Sequence, residues 1–86
     1  MPWDLVITRP AKKDLTALSA TVREAIERAL ARLTDDPDSV DVRKLAGREN
    51  EWRLRVGDWR VLLRFDNATG TMYVLRVRPR GSAYRD

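Results

Sequence analysis

Apolar residues change their spacing halfway along the chain, and that change restricts the fold class. From Ala11 to Leu33 they recur at helical intervals, whereas from Trp52 to Val77 they alternate every second residue. A helical stripe cannot be buried as a strand, nor an alternating pattern as a helix, so helices and strands occupy separate stretches of sequence. At 86 residues there is material for one core and one domain, spanning 1–86.

The local signals refine this. Trp3, Leu5 and Ile7 alternate with Asp4, Val6 and Thr8, which predicts a strand. Thr8 can cap a following helix, with Pro10 tolerated in its first turn. Ala11, Leu15 and Leu18 then share one helical face. Thr21-Val-Arg-Glu24 has capping-box spacing and predicts the start of a second helix, whose stripe runs through Val22, Ala25, Ile26, Ala29, Leu30 and Leu33. The short joint implies a helical hairpin. Asp35-Asp-Pro-Asp-Ser39 closes it, and a polar connection runs on to about Gly47.

Beyond that connection, Trp52, Leu54 and Val56 alternate with Arg53 and Arg55. Val56-Gly-Asp-Trp59 is a tight turn, and Val61, Leu63 and Phe65 form the apolar set of the returning strand. Asp66–Gly70 is a turn cluster. Thr71 to Arg78 is a third strand, with Tyr73, Leu75 and Val77 on one side and Pro79 at its end. The order β-α-α-β-β-β describes an α+β protein in which a helical hairpin packs on one face of a small antiparallel sheet. The expected core includes Leu15, Ile26, Leu30, Leu54, Leu63 and Leu75, with Trp3, Trp52 and Trp59 as core or cover.

Charge is divided as unevenly as periodicity. Residues 1–42 carry six Lys or Arg against eight Asp or Glu, and residues 43–86 carry eleven against five; fourteen of the seventeen cations are Arg. Alternation sends Arg53, Arg55, Arg60 and Arg64 to the sheet face away from the helices. Arg76 and Arg78 join them, and Arg80 lies just beyond. Like charges on one face repel unless carboxylates or a bound polyanion offset them, and the guanidinium fork matches phosphate. An anionic partner, nucleic acid above all, is the expectation. Lys44 and Arg48, in the connection before the first of these strands, extend the set of candidate RNA contacts.

Cysteine and histidine are both absent, which removes disulfides, thiolate sites and the usual imidazole base. No stretch reaches the length of a membrane span, and Met-Pro-Trp-Asp does not begin a secretory signal, so a cytoplasmic protein is expected.

Three segments in order carry a family resemblance: Lys44-Leu-x-Gly47, Trp52-Arg-Leu-Arg55-Val-Gly-Asp-Trp59-Arg60, and Arg80-x-x-x-Tyr84-Arg85. Together they resemble the RelE branch of the RelE/ParE toxin superfamily over nearly the whole chain. The resemblance implies an mRNA interferase, the toxin of a type II toxin–antitoxin pair, cutting mRNA in the ribosomal A site. It implies as partners a cognate antitoxin, RelB-like or another small type, held in a toxin–antitoxin hetero-oligomer, and mRNA with its surrounding rRNA. By position it implies catalytic roles for Arg60 and Arg80 at the scissile phosphate and for Tyr84 in stacking or proton transfer, with Arg53 and Arg55 contributing from the preceding strand. The same superfamily admits a ParE-like gyrase poison and an inactive member that only binds antitoxin or nucleic acid.

The chemistry is consistent with these residue types. RNA supplies its own nucleophile, the 2′-OH, so the protein has only to align it, stabilise charge on phosphorus and manage two protons. No metal or other cofactor is required for that. Arg holds its proton too firmly to act as a base, and Pro79 stands where many relatives carry His or Lys. Lys44, Tyr84 and a substrate-assisted route remain open for proton transfer.

Overall fold

A computed structural model describes residues 3–45, 47 and 50–81. Strand β1 (Asp4–Ile7) leads into α1 (Arg9–Thr16) and α2 (Ala20–Asp35). A 3-10 turn (Pro37–Ser39) follows, then β2 (Val42–Lys44), β3 (Glu51–Val56), β4 (Trp59–Asp66) and β5 (Thr71–Pro79). The strands form one five-stranded sheet in the order β1-β5-β4-β3-β2.

Thr8 caps α1 as its sequence position implies, its Oγ1 accepting from the Ala11 N–H at 3.4 Å, with Pro10 in the first turn. The cap of α2 is Ser19 rather than Thr21; its Oγ accepts from the Val22 N–H at 3.3 Å, so Thr21 and Glu24 lie inside the helix. Asp36 then ends α2 and caps the 3-10 turn. Gly57, at φ 55°, is the first of two residues joining β3 to β4, a position where a left-handed backbone favours glycine.

The sheet departs from the sequence expectation in three respects. It is mixed, because β1 returns beside β5 in parallel, pairing Asp4–Ile7 with Thr71–Val74. It has an additional edge strand: the polar connection contains β2, which pairs Val42, Arg43 and Lys44 with Leu54, Arg53 and Trp52. Three residues with one apolar side chain are too short to show a period, so this strand is stabilised by the edge of β3. Finally, β5 is irregular opposite Leu62/Leu63, where Leu62 pairs with Arg76 and Leu63 with Val74. The extra residue is Leu75, and the bulge reverses the phase of the first half of the strand. Met72 and Val74 therefore point into the core with Val77, while Leu75 is only half-buried.

The core lies between the helices and one sheet face. Ala11 and Leu15 of α1 meet Ile26, Leu30 and Leu33 of α2 over Leu54, Val61, Leu63, Met72, Val74 and Val77. Five of the six expected core residues are buried, the exception being Leu75. Trp3, Trp52 and Trp59 pack around this core. Phe65 lies between two of them, with its ring centroid 5.0 Å from that of Trp3 and 5.4 Å from that of Trp52.

Where β1 stops, α1 takes over the free edge of β5. The Thr8 N–H and Oγ1–H donate to the Val74 carbonyl at 3.1 and 2.7 Å, and the Asp14 carboxylate accepts from the Val77 N–H at 2.9 Å. A short β1 thus leaves room for a helix to deliver a carboxylate to the sheet edge. No helix among the described residues is long and apolar enough to cross a membrane.

Candidate nucleic-acid interface

The pairing register builds the face opposite the helices row by row. Arg55, Arg60 and Arg78 lie across from one another on β3, β4 and β5; the next row reads Arg43, Arg53, Leu62, Arg76, and the one after it Glu51, Arg64, Tyr73. Side chains directly opposite in such a sheet start about 5 Å apart at Cβ, close enough for unscreened guanidinium groups to repel. What each arginine does with its charge therefore decides what the face can bind.

Arg76 is held by protein. Its Nε donates to Asp14 Oδ2 at 2.8 Å and its Nη2 to Asp14 Oδ1 at 3.1 Å, a two-pronged pair with a carboxylate from α1. Those bonds hold the Asp14 carboxyl below the usual aspartate range, against the opposing effect of burial; the Val77 N–H and the nearby charges of Arg76 and Arg78 add to the lowering. Sequence reading missed this partner, although Asp14 stands three residues after Ala11 and four before Leu18. An acid on an apolar stripe signals a buried partner.

Arg60 is also engaged. It is 7% exposed, and its Nη1 donates to the carbonyls of Gly57 at 2.9 Å and Trp59 at 2.8 Å, bracing the β3–β4 turn. Arg80 is exposed, and its backbone N–H donates to the Asp58 carbonyl of the same turn at 2.7 Å. Two residues twenty positions apart in sequence are thereby tied to one corner of the sheet. Arg78, half-buried, faces Arg60 across β4 and β5.

On the β3 side the balance differs. Arg53 is half-buried, and its Nε is buried with no hydrogen-bond partner among the described residues. Arg43, opposite it, extends into solvent beside Asp41 at 3.6 Å. Arg64 is exposed, its guanidinium carbon 5.6 Å from the centre of the Tyr73 ring.

Two candidates are not brought to this face. Arg55 starts on it, but β2 begins only opposite Leu54, and the Arg55 side chain lines a cavity with Arg28 and Arg32 of α2, its Nε 3.5 Å from Asp41. Lys44 pairs with Trp52, which faces the helices with Leu63, so its row belongs to the opposite side of the sheet; Arg43, not singled out from sequence, stands on the arginine face instead. Tyr84 and Arg48 lie outside the described residues.

Residues 5–84 match the model of the family described as the ParE toxin of the type II toxin–antitoxin system, parDE. The chain belongs to that family, within the RelE/ParE superfamily. Among solved structures it is similar to a chain of the RelBE2 toxin–antitoxin complex of Mycobacterium tuberculosis, at 31% identity over 93% of this chain and 100% of that one, with a TM-score of 0.78. It is also similar to a chain of the archaeal RelE–RelB complex of Pyrococcus horikoshii, at 26% identity, 96% and 100% coverage and a TM-score of 0.81. The isolated RelE toxin of Escherichia coli shares the fold at 19% identity, 94% and 87% coverage and a TM-score of 0.78. The chain has no match by sequence among curated proteins. Its fold is that of a RelE-like toxin.

Proposed function

We propose that the protein is the toxin of a type II toxin–antitoxin pair, acting in the cytoplasm as a ribosome-dependent endoribonuclease, with the arginine face of β3, β4 and β5 receiving the mRNA backbone. The observation that carries this reading is the contrast within that face. Arg76 has its carboxylate, whereas Arg53, beside Arg43 and Leu62, keeps a buried Nε without a partner among the described residues. A phosphate oxygen is the acceptor that would complete it once the side chain turns its buried Nε outward.

In this reading the 2′-OH attacks the adjacent phosphorus, and the 5′-oxygen leaves with a proton. The products are a 2′,3′-cyclic phosphate and a 5′-hydroxyl. Arg53 and Arg80 bear on the phosphate from the two sides of the β3–β4 turn. Arg60 joins them by turning away from the Gly57 and Trp59 carbonyls that now hold its Nη1. Tyr84 supports the site by stacking or proton transfer. With no histidine available, alignment by the ribosome would supply much of the rate, and proximity effects can reach roughly 7–11 kcal/mol. Similar solved chains come from toxin–antitoxin complexes, and a cognate antitoxin would silence this protein by covering the arginine face.

The test incubates purified protein with one mRNA, either naked or programmed into ribosomes with a vacant A site. Cutting on the ribosome with cyclic-phosphate ends, and at least about 100-fold slower cutting of naked RNA, is the expected result. Equal cutting of both substrates refutes ribosome dependence. A gyrase poison is the second reading, favoured by the ParE description of the family. Gyrase-dependent DNA breaks with intact mRNA would establish it instead.

A further inference from the structure

A groove on the helix side of the molecule plays no part in the function proposed above. Two cavities, of about 330 and 260 Å³, meet at Ala25 and Val56, where α2 passes the end of β3. The groove exists because β2 begins only opposite Leu54, leaving the outer edge of the last residues of β3, whose other edge pairs with β4, without a strand. Its wall on α2 follows one helical stripe, Val22, Ala25, Arg28, Ala29, Arg32, adjacent to the stripe of Ile26, Leu30 and Leu33 that enters the core.

The two ends of the groove differ in chemistry. Near the β3–β4 turn it is mainly apolar, with Val22, Ala25, Val56 and Trp59 as its floor and Thr21 and Asp58 at its rim. Toward the 3-10 turn it is cationic, with Arg28, Arg32 and Arg55 facing a single carboxylate, Asp41. That carboxylate is shared between Arg43 and Arg55 at 3.6 and 3.5 Å. Among the described residues neither Arg28 nor Arg32 has an ion-pair partner. Their spacing of four residues places both guanidinium groups over the same side of α2, one turn apart.

We infer that this groove docks an acidic amphipathic segment of another protein chain, with apolar side chains seated at Val22, Val56 and Trp59 and carboxylates over Arg28 and Arg32. Charge complementarity selects the acidic end of the occupant. The apolar half selects protein over nucleic acid, because a phosphodiester backbone gains nothing from Val56 and Ala25. The groove lies on the opposite side of the sheet from the row of Arg53, Leu62 and Arg76, so a chain bound here leaves that face open. The inference does not depend on which anion the arginine face binds.

The probe is a fluorescein-labelled ten-residue peptide with leucines at one end and glutamates at the other, titrated into the full-length protein by anisotropy. A peptide of the same composition in scrambled order and a uridine decamer serve as competitors. Arg28→Glu with Arg32→Glu should weaken the peptide at least about tenfold, equivalent to about 1.4 kcal/mol. Ala25→Trp, which fills the point where the two cavities meet, should do the same, whereas Arg64→Glu on the other sheet face should change affinity less than about twofold. Circular dichroism confirms that each variant is folded, and Ala25→Leu substitutes for a misfolded Ala25→Trp. The inference is overturned if the peptide fails to saturate by about 1 mM, or if the scrambled peptide competes equally. It is overturned equally if the uridine decamer displaces the peptide from Arg28 and Arg32, or if Arg64→Glu has the larger effect.

Discussion

Arg53 and Arg76 stand in one row of the sheet, separated by Leu62, yet they belong to different kinds of environment. On the β5 side, a helix fills the space left by a short β1 and presents Asp14 to both the Arg76 guanidinium and the Val77 N–H. On the β3 side, β2 is too short to bring a carboxylate of its own, and the buried Nε of Arg53 has no acceptor. A row of like charges therefore divides into a cation paired within the fold and one whose Nε has no acceptor among the described residues, the one proposed to meet a ligand. Counting arginines on a face cannot separate the two; the long-range partner does.

The largest stability effect should come from the core, which serves as a reference for the arginine comparison. Leu30→Ala removes a fully buried side chain and should cost roughly 2–5 kcal/mol in a denaturant melt, with little dependence on pH. Asp14→Ala comes next, at about 2 kcal/mol, because it strands the Val77 N–H and removes two acceptors of Arg76, whose partial exposure lets water replace some of the loss. Its pH dependence distinguishes it from Leu30→Ala. The folded-state pKa of Asp14 is the depressed one, so its contribution is complete above the unfolded value of about 3.9 and is lost as pH falls through the folded value. The stability gap between wild type and Asp14→Ala should be widest near neutral pH and close below about pH 4. A gap that stays constant into acid would mean that the pair with Arg76 contributes nothing through charge. Leu75→Ala should have the smallest effect, about 1 kcal/mol or less, since the bulge leaves that side chain half-buried. A loss as large as that of Leu30→Ala would restore Leu75 to the core.

Much of the architecture was legible because local patterns and tertiary packing agree. Leu15, Ile26, Leu30, Leu54 and Leu63 were placed in the core from spacing alone, and all are buried. The misreadings share a cause: each depends on a partner distant in sequence. Leu75 lost its place to a bulge defined by pairing with β4, which no periodicity within β5 reveals. The strand β2 was read as a polar connection because it exists only against β3. Ser19 displaced Thr21 as cap because the joint after α1 is tighter than the capping-box spacing suggested. The arginine face itself was legible; which of its members are engaged was not, since Asp14 reaches Arg76 from 62 residues away.

The central claim, that Arg53 meets the ligand while Arg76 serves the fold, is tested most directly by pairing Arg53→Ala with Arg76→Ala. Single-turnover cleavage of mRNA on vacant-A-site ribosomes would be measured for each, normalised to folded protein, beside a thermal melt. Arg53→Ala should melt like wild type and cleave at least about tenfold more slowly, toward the 10²-fold expected when a donor to developing charge is lost. Arg76→Ala should melt at lower temperature and, per folded molecule, cleave within about threefold of wild type. Wild-type cleavage by Arg53→Ala, together with a large loss in a stably folded Arg76→Ala, would contradict the division of the face.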